Sequence, residues 1–185
     1  MRHFAFAPAL ATIMSVPAMA APAPNWVVDA GSKVGFVAAM NGQAINGTFR
    51  RFTARIAFDP GNLAGSSVLA TIDMGSAATG DQTRDEALPS ADWFSAKVFP
   101  QATFASTGFK ALGGNRYAAS GTLTIRGKAR PVVLPFQLTI VGNKAQMRGA
   151  LTIDRRWFGV GQGQFAGVDA VAANVRVDIA INAHR

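Results

Sequence analysis

The sequence predicts an all-β domain of eight antiparallel strands, folded either as a two-sheet sandwich or as a closed barrel. Apolar and polar residues alternate with period two along most of the chain, the spacing of a strand with one buried face. Clusters rich in Gly, Pro and Asn punctuate those runs. The chain, 185 residues with a net charge of +8, suits one domain of this kind.

The first residues read differently. Arg2 precedes the apolar stretch "FAFAPALATIMSVPAMA", which ends in the small-x-small triplet Ala18-Met19-Ala20. This is the pattern of a secretory signal peptide. Pro8 and Pro17 interrupt it, and it falls short of the ~20 apolar residues of a transmembrane helix. Residues 1–20 are therefore expected to be a leader cleaved after Ala20 or Ala21. The domain, 21–185, is expected in the periplasm or outside the cell. The chain has no cysteine, which removes thiolate metal sites and thiol nucleophiles.

Eight runs follow in order. "KVGFVAAM" aligns Val34, Phe36, Ala38 and Met40 on one face. "FRRFTARIAFD" aligns Phe52, Ala54, Ile56 and Phe58 against Arg51, Thr53 and Arg55. "SVLATIDM" aligns Val68, Ala70, Ile72 and Met74. "ATFASTGF" supplies Phe104. "RYAASGTLTIR" aligns Tyr117, Leu123 and Ile125. "RPVVLPFQLTIV" aligns Val132, Leu134, Phe136, Leu138 and Ile140. "QMRGALTID" aligns Met147, Leu151 and Ile153, and "VAANVRVDIAINA" aligns Val171, Val175, Val177, Ile179 and Ile181. "NGQAING", "DPGNLAGS", "LGGN", "RGKARP" and "VGNK" read as the turns between runs. The apolar face also carries small residues: Ala38, Ala54, Ala70, Gly121, Gly149 and Ala173. They either leave interior volume or interlock with Phe and Met, and periodicity does not separate a dry core from a ligand cavity. One tyrosine and no aromatic pairs at strand ends argue against an outer-membrane barrel.

Between the third and fourth runs lies "TGDQTRDEALPSADWF". Thr79 followed by Gln82 has capping-box spacing, so a short helix is expected there, ended by Pro89. Trp93, Phe94 and Phe99 would then close one end of a barrel. Asp81 and Asp85 invite an acid/base reading, but capping and local pairing with Arg84 account for them better. His184 is the one histidine beyond the leader, and a base that close to a chain end, expected to be mobile, suits neither a triad nor a metal site. No metal or organic cofactor is expected. "GVGQGQFAG" lacks the following helix of a dinucleotide fingerprint; Gly159, Gly161 and Gly163 read as a wide turn or bulge. The basic residues are spread singly, which fits no nucleic-acid site. An anionic membrane surface or headgroup fits the charge better.

Five stretches in order resemble the YceI-like family: "NWVVDAGSKVGF", "GTFRRFTARIAFDP", "ATIDMGSAATGDQTRDEALPSADWFSAKVFPQATFAST", "GTLTIRGKARPVVLP" and "LTIDRRWFGVG". Gly31 stands where that family commonly has histidine, so no role of that histidine carries over. The resemblance implies an eight-stranded, lipocalin-like antiparallel barrel with a helical insert between strands 3 and 4. It implies a carrier or store of a long polyisoprenoid lipid, an isoprenoid quinone or a prenyl diphosphate, without catalysis. An isoprenoid-modifying enzyme using Asp81 and Asp85 is the alternative. The expected lining is Phe36, Met40, Phe52, Ile56, Phe58, Ile72, Phe104, Leu123, Leu134, Phe136, Leu138, Met147, Leu151, Val175 and Ile179. The expected mouth and headgroup residues are Arg84, Trp93, Phe94, Arg155, Arg156, Trp157 and Phe158. A mouth exposing Trp93 or Trp157 would favour transient contact with a membrane surface, or a homodimer.

Overall fold

The computed structural model describes residues 22–185, so the expected leader lies outside the described residues. The strands are β1 (Asn25–Val28), β2 (Lys33–Met40), β3 (Gln43–Phe49), β4 (Phe52–Ala57), β5 (Ser67–Asp73), β6 (Ala77–Ala78), β7 (Gln101–Gly113), β8 (Arg116–Ile125), β9 (Lys128–Val141), β10 (Lys144–Asp154) and β11 (Asn174–His184). One helix, α1 (Gln82–Ala87), is inserted between β6 and β7.

These segments make eight staves of a closed antiparallel barrel. β1 and β2 pair in succession along one edge of β11, so they form a single kinked stave. β3 and β4 pair with β2 and β1 and form the second. β5 and β6 pair with β4 and β3 and form the third. β7 to β11 are unbroken, each paired with its neighbour in sequence. Pairing of Val27 with His184 and of Val34 with Ile179 brings the first stave onto the last. Closure removes the sheet edges, and their unpaired N–H and C=O groups, that a sandwich would keep.

Three strands were not legible as such: β1, β3 and the two-residue β6. β1 is too short to show alternation. β3 runs through "NGQAING", read above as a turn; the turn occupies Asn41 and Gly42 alone. Gly47 sits mid-strand because Phe36 lies across it. A Cβ at Gly47 would stand 2.1 Å from the Phe36 ring. Gly121 does the same under Phe104, 2.5 Å from a Cβ. The chain end is also not loose: His184 is a strand residue, paired with Val27 and Lys144, and its ring faces the Asp29 carboxylate.

α1 begins two residues later than the capping-box spacing suggests. Asp81 is the N-cap, accepting from the Arg84 N–H at 2.9 Å. Thr79 instead donates its N–H and its hydroxyl to the Asp85 carboxylate, at 2.6 and 2.8 Å. These bonds, the Thr79 backbone N–H foremost, hold the Asp85 carboxyl below its ordinary value. The helix gives way at Leu88, ahead of Pro89.

Inside the barrel the apolar side chains gather at its two ends. At one end Trp26, Phe58, Leu134, Phe136 and Ile181 pack with Phe109 and Tyr117. Phe58 stands edge-on to Phe109, Tyr117 and Phe136, and the Trp26 indole N–H donates to the Phe58 carbonyl at 2.9 Å. At the other end Met74, Phe94, Ile153, Phe158 and Val160 pack beneath the insert. Leu151 touches both clusters.

Two outcomes follow. Gly47→Ala should lower stability by about 1–3 kcal/mol in denaturant unfolding, because the ring above must move; shortening that ring with Phe36→Leu in the same chain should recover part of the loss. For Asp85 the folded value is lowered, so the unfolded state binds the extra proton. Its contribution is complete above the ordinary carboxylate value of about 4 and is lost as pH falls below it. Asp85→Asn should therefore flatten the fall of melting temperature in that acid range.

Candidate functional site

Between the two end clusters the staves enclose a bore of about 280 Å³. The period-two pattern builds it: inward residues of successive staves meet across the lumen. The lining side chains are aliphatic or aromatic apart from Arg155. Ala38, Ala54 and Ala70 line it, so the small residues of the first three staves widen the lumen. Gly47 and Gly121, by contrast, interlock with rings.

Of the fifteen residues expected to line the bore, fourteen face it. Met40 does not: it is the last residue of β2, opposite Gln43 at the hairpin, where it bridges to Val171. Sequence reading missed Trp26 and Phe49, which lie on the unrecognised β1 and β3. It also missed Leu88 and Val160, which reach the lumen from connections with no periodic signal.

One end of the bore is capped by two connections. Trp93 and Phe94, following α1, line the lumen. The chain between β10 and β11 lies against them: Phe165 packs on Trp93 at 4.9 Å between ring centroids. The Gly161 and Gln162 N–H groups donate to the Asp92 carbonyl at 2.9 and 2.8 Å. Arg126, in the β8–β9 turn, donates to the Ala91 and Trp93 carbonyls. Phe99 stays outside the lumen, against Gly127. Gly159, Gly161 and Gly163 all have positive φ. At Gly161 the reason is explicit: a Cβ would meet the Arg155 guanidinium at 2.3 Å.

Arg155 was expected at the mouth, free for an anionic headgroup. It is instead 3 % exposed and bound to the cap. Its Nε donates to the Ala172 carbonyl at 3.0 Å, and Nη1 to Val160 at 2.8 Å. Nη2 donates to the Val171 carbonyl at 2.8 Å and also to that of Gly167. Four of the five guanidinium N–H groups are thus taken by backbone. Burial pulls the Arg155 guanidinium below its ordinary value, with partial compensation from Asp154.

The other expected headgroup residues are likewise engaged or misplaced. Arg156 is exposed and grips Asp154, its Nε 3.0 Å from one carboxylate oxygen; that bond lowers the Asp154 value and raises that of Arg156. Arg84 pairs with Asp81 at 3.5 Å and bonds the Thr79 hydroxyl. Phe158 is fully buried. Trp157 is 47 % exposed and lies on the outer wall, beside Pro131 and Val133. The alternative catalytic pair, Asp81 and Asp85, is occupied in capping α1 and holding Thr79.

Arg155→Met should strand the cap carbonyls and cost at least about 3 kcal/mol, since bonds from a charged donor contribute roughly 1.5–3 kcal/mol each. Arg155→Lys should not rescue it in denaturant unfolding, because a single ammonium does not span the same carbonyls.

Comparison with known proteins agrees with this geometry. The model of the YceI-like domain matches residues 26–183. A UPF0312 protein of Vibrio cholerae is 29% identical over 170 residues, covering 86% of this chain and 89% of its own. Among solved structures, Burkholderia cenocepacia BcnA superposes with a TM-score of 0.81 at 37% identity, over 84% of this chain and 98% of that one. A polyisoprenoid binding domain from Saccharophagus degradans, implicated in plant cell wall breakdown, shares the fold at 15% identity, with a TM-score of 0.67 over 86% and 97% of the two chains. The chain belongs to the YceI-like domain family.

Proposed function

We propose that this protein is a periplasmic or secreted carrier or store that takes the chain of a long isoprenoid lipid into its bore and performs no chemistry on it. The observation that carries this is the lining itself: an enclosed lumen with no free polar group but the remaining N–H of Arg155. The binding domain of S. degradans that shares the fold supports the choice of lipid. The expected leader supports the location.

The energetics suit a polyprenyl chain. At ~0.8 kcal/mol per buried methylene, one five-carbon isoprene unit contributes about 4 kcal/mol gross. Association costs ~4–15 kcal/mol, which roughly one to four buried units offset, and each unit beyond that adds to the net affinity. A lumen of about 280 Å³ stands at the lower edge of the ~300–1,000 Å³ typical of ligand pockets. It takes a few units without rearrangement, and a longer chain requires wall side chains to turn. The headgroup most compatible with the site is neutral, as in a quinone. A diphosphate would have to compete with backbone carbonyls for Arg155.

The test is recovery of the ligand. Organic extraction of the purified protein, read by mass spectrometry, should yield a stoichiometric prenyl lipid. Ala70→Phe, which fills the lumen, should abolish that recovery while the circular dichroism spectrum stays that of the folded barrel. Wild-type protein that yields no lipid and takes up none when offered prenyl alcohols would refute the carrier reading.

A further inference from the structure

The barrel wall has a seam. β9 and β10 pair from the hairpin turn only as far as Phe136 and Gly149. Beyond that point β9 continues to Lys128, bonded to β8 alone, and β10 continues to Asp154, bonded to β11 alone. The two banks diverge toward the capped end.

Two prolines explain the divergence. The Leu138 N–H donates to the Asn115 carbonyl, on the β8 side. With a two-residue period and no register shift in the β8–β9 ladder, the even positions of β9 direct their N–H groups toward β8. The odd positions face β10, and at 131 and 135 the residue is proline, which has no N–H to give. The ladder stops one residue short of Pro135.

A groove fills the divergence on the outer wall. Pro131, Val133 and Pro135 form one bank, Ala150 and Thr152 the other, with Trp157 and Arg176 beside them. Val133 is 57 % exposed. Val132 and Leu151 belong both to this groove and to the bore. Those two apolar side chains are therefore the partition between lumen and surface. The surrounding chain is strongly basic: residues 116–156 hold eight Lys and Arg, Arg155 alone of them buried in the cap, against one carboxylate, Asp154. Asp154 is itself gripped by Arg156.

We propose that this seam is a lateral portal, through which a prenyl chain passes between the bore and an anionic lipid bilayer docked against the β9–β10 wall. Exposed Val133 and Trp157 enter the interface, the basic residues meet the anionic headgroups, and displacement of Val132 and Leu151 opens the way. Passage through the wall leaves the Arg155-bound cap in place. The proposal rests on the carrier reading above and adds the route and the partner surface.

The chain's lack of cysteine makes the test direct. The β9–β10 register, continued past Phe136 and Gly149, sets Val133 opposite Thr152, both on the outer face. In a Val133→Cys, Thr152→Cys protein, uptake of solanesol is measured from vesicles of phosphatidylcholine with or without phosphatidylglycerol. Oxidation should abolish uptake and reductant should restore it. Protein loaded before oxidation should keep its solanesol, and the reduced protein should take it up faster from vesicles with phosphatidylglycerol. Equal uptake by the oxidised and reduced forms overturns the portal and leaves the carrier reading standing. Failure of wild-type protein to take up solanesol from vesicles or from detergent overturns both. Should the pair resist oxidation, Val133→Asp serves instead. Slower uptake from phosphatidylglycerol vesicles with unchanged capacity in detergent supports the portal, and unchanged uptake overturns it.

Discussion

A strand gives every second side chain to each face, and closing eight staves into a ring commits half of those side chains to the interior. The size and polarity of the inward set then decide what the barrel can hold. Here the inward set is apolar along every stave, and its bulk is uneven. Phe58, Tyr117 and Phe136 fill one end, Phe94 and Phe158 the other, and alanines at positions 54 and 70 thin the wall between. The lumen is a consequence of that distribution. The same alternation with evenly large residues would give a solid core.

The capped end shows how a charge is used without being offered to a ligand. A buried guanidinium is costly unless its donors are satisfied. Arg155 satisfies them with backbone carbonyls from Val160 to Ala172, so one side chain organises a connection that contains no long helix or strand. The glycines of that connection make room for it, Gly161 by direct contact. The apparent glycine-rich motif is thus packing around an arginine. The lumen consequently has an end that is held by polar bonds yet presents apolar side chains inward.

Much of the barrel was legible because alternation is a local signal that each long strand carries in full. The eight runs, the place of the insert and most of the lining follow from it. What was not legible depended on partners distant in sequence. Gly47 marks a turn by local chemistry, but in the fold it marks the seat of Phe36. Thr79 looks like a cap, but Asp85 claims its hydroxyl and Asp81 takes the cap. Arg155 and Arg156 are adjacent and chemically identical, yet a 3-10 turn sends one inward to carbonyls and the other outward to Asp154. Pro135 was read as a member of an ordinary strand, and Pro131 as the end of a turn as well as the start of that strand. Their effect shows only when it is known which edge of β9 faces β10.

The joining of the first stave to the last has a kinetic side. Val27, in the first stave, pairs with His184, in the last, and Arg185 lies over the Trp26 ring. The contact is among the most distant the sequence allows, and contacts of that separation slow folding. Until β11 is in place, the first and seventh staves each keep an open edge, and the apolar lumen faces whatever binds it. Without the pairing of first and last staves the protein is an open sheet, the form most prone to add strands from other molecules.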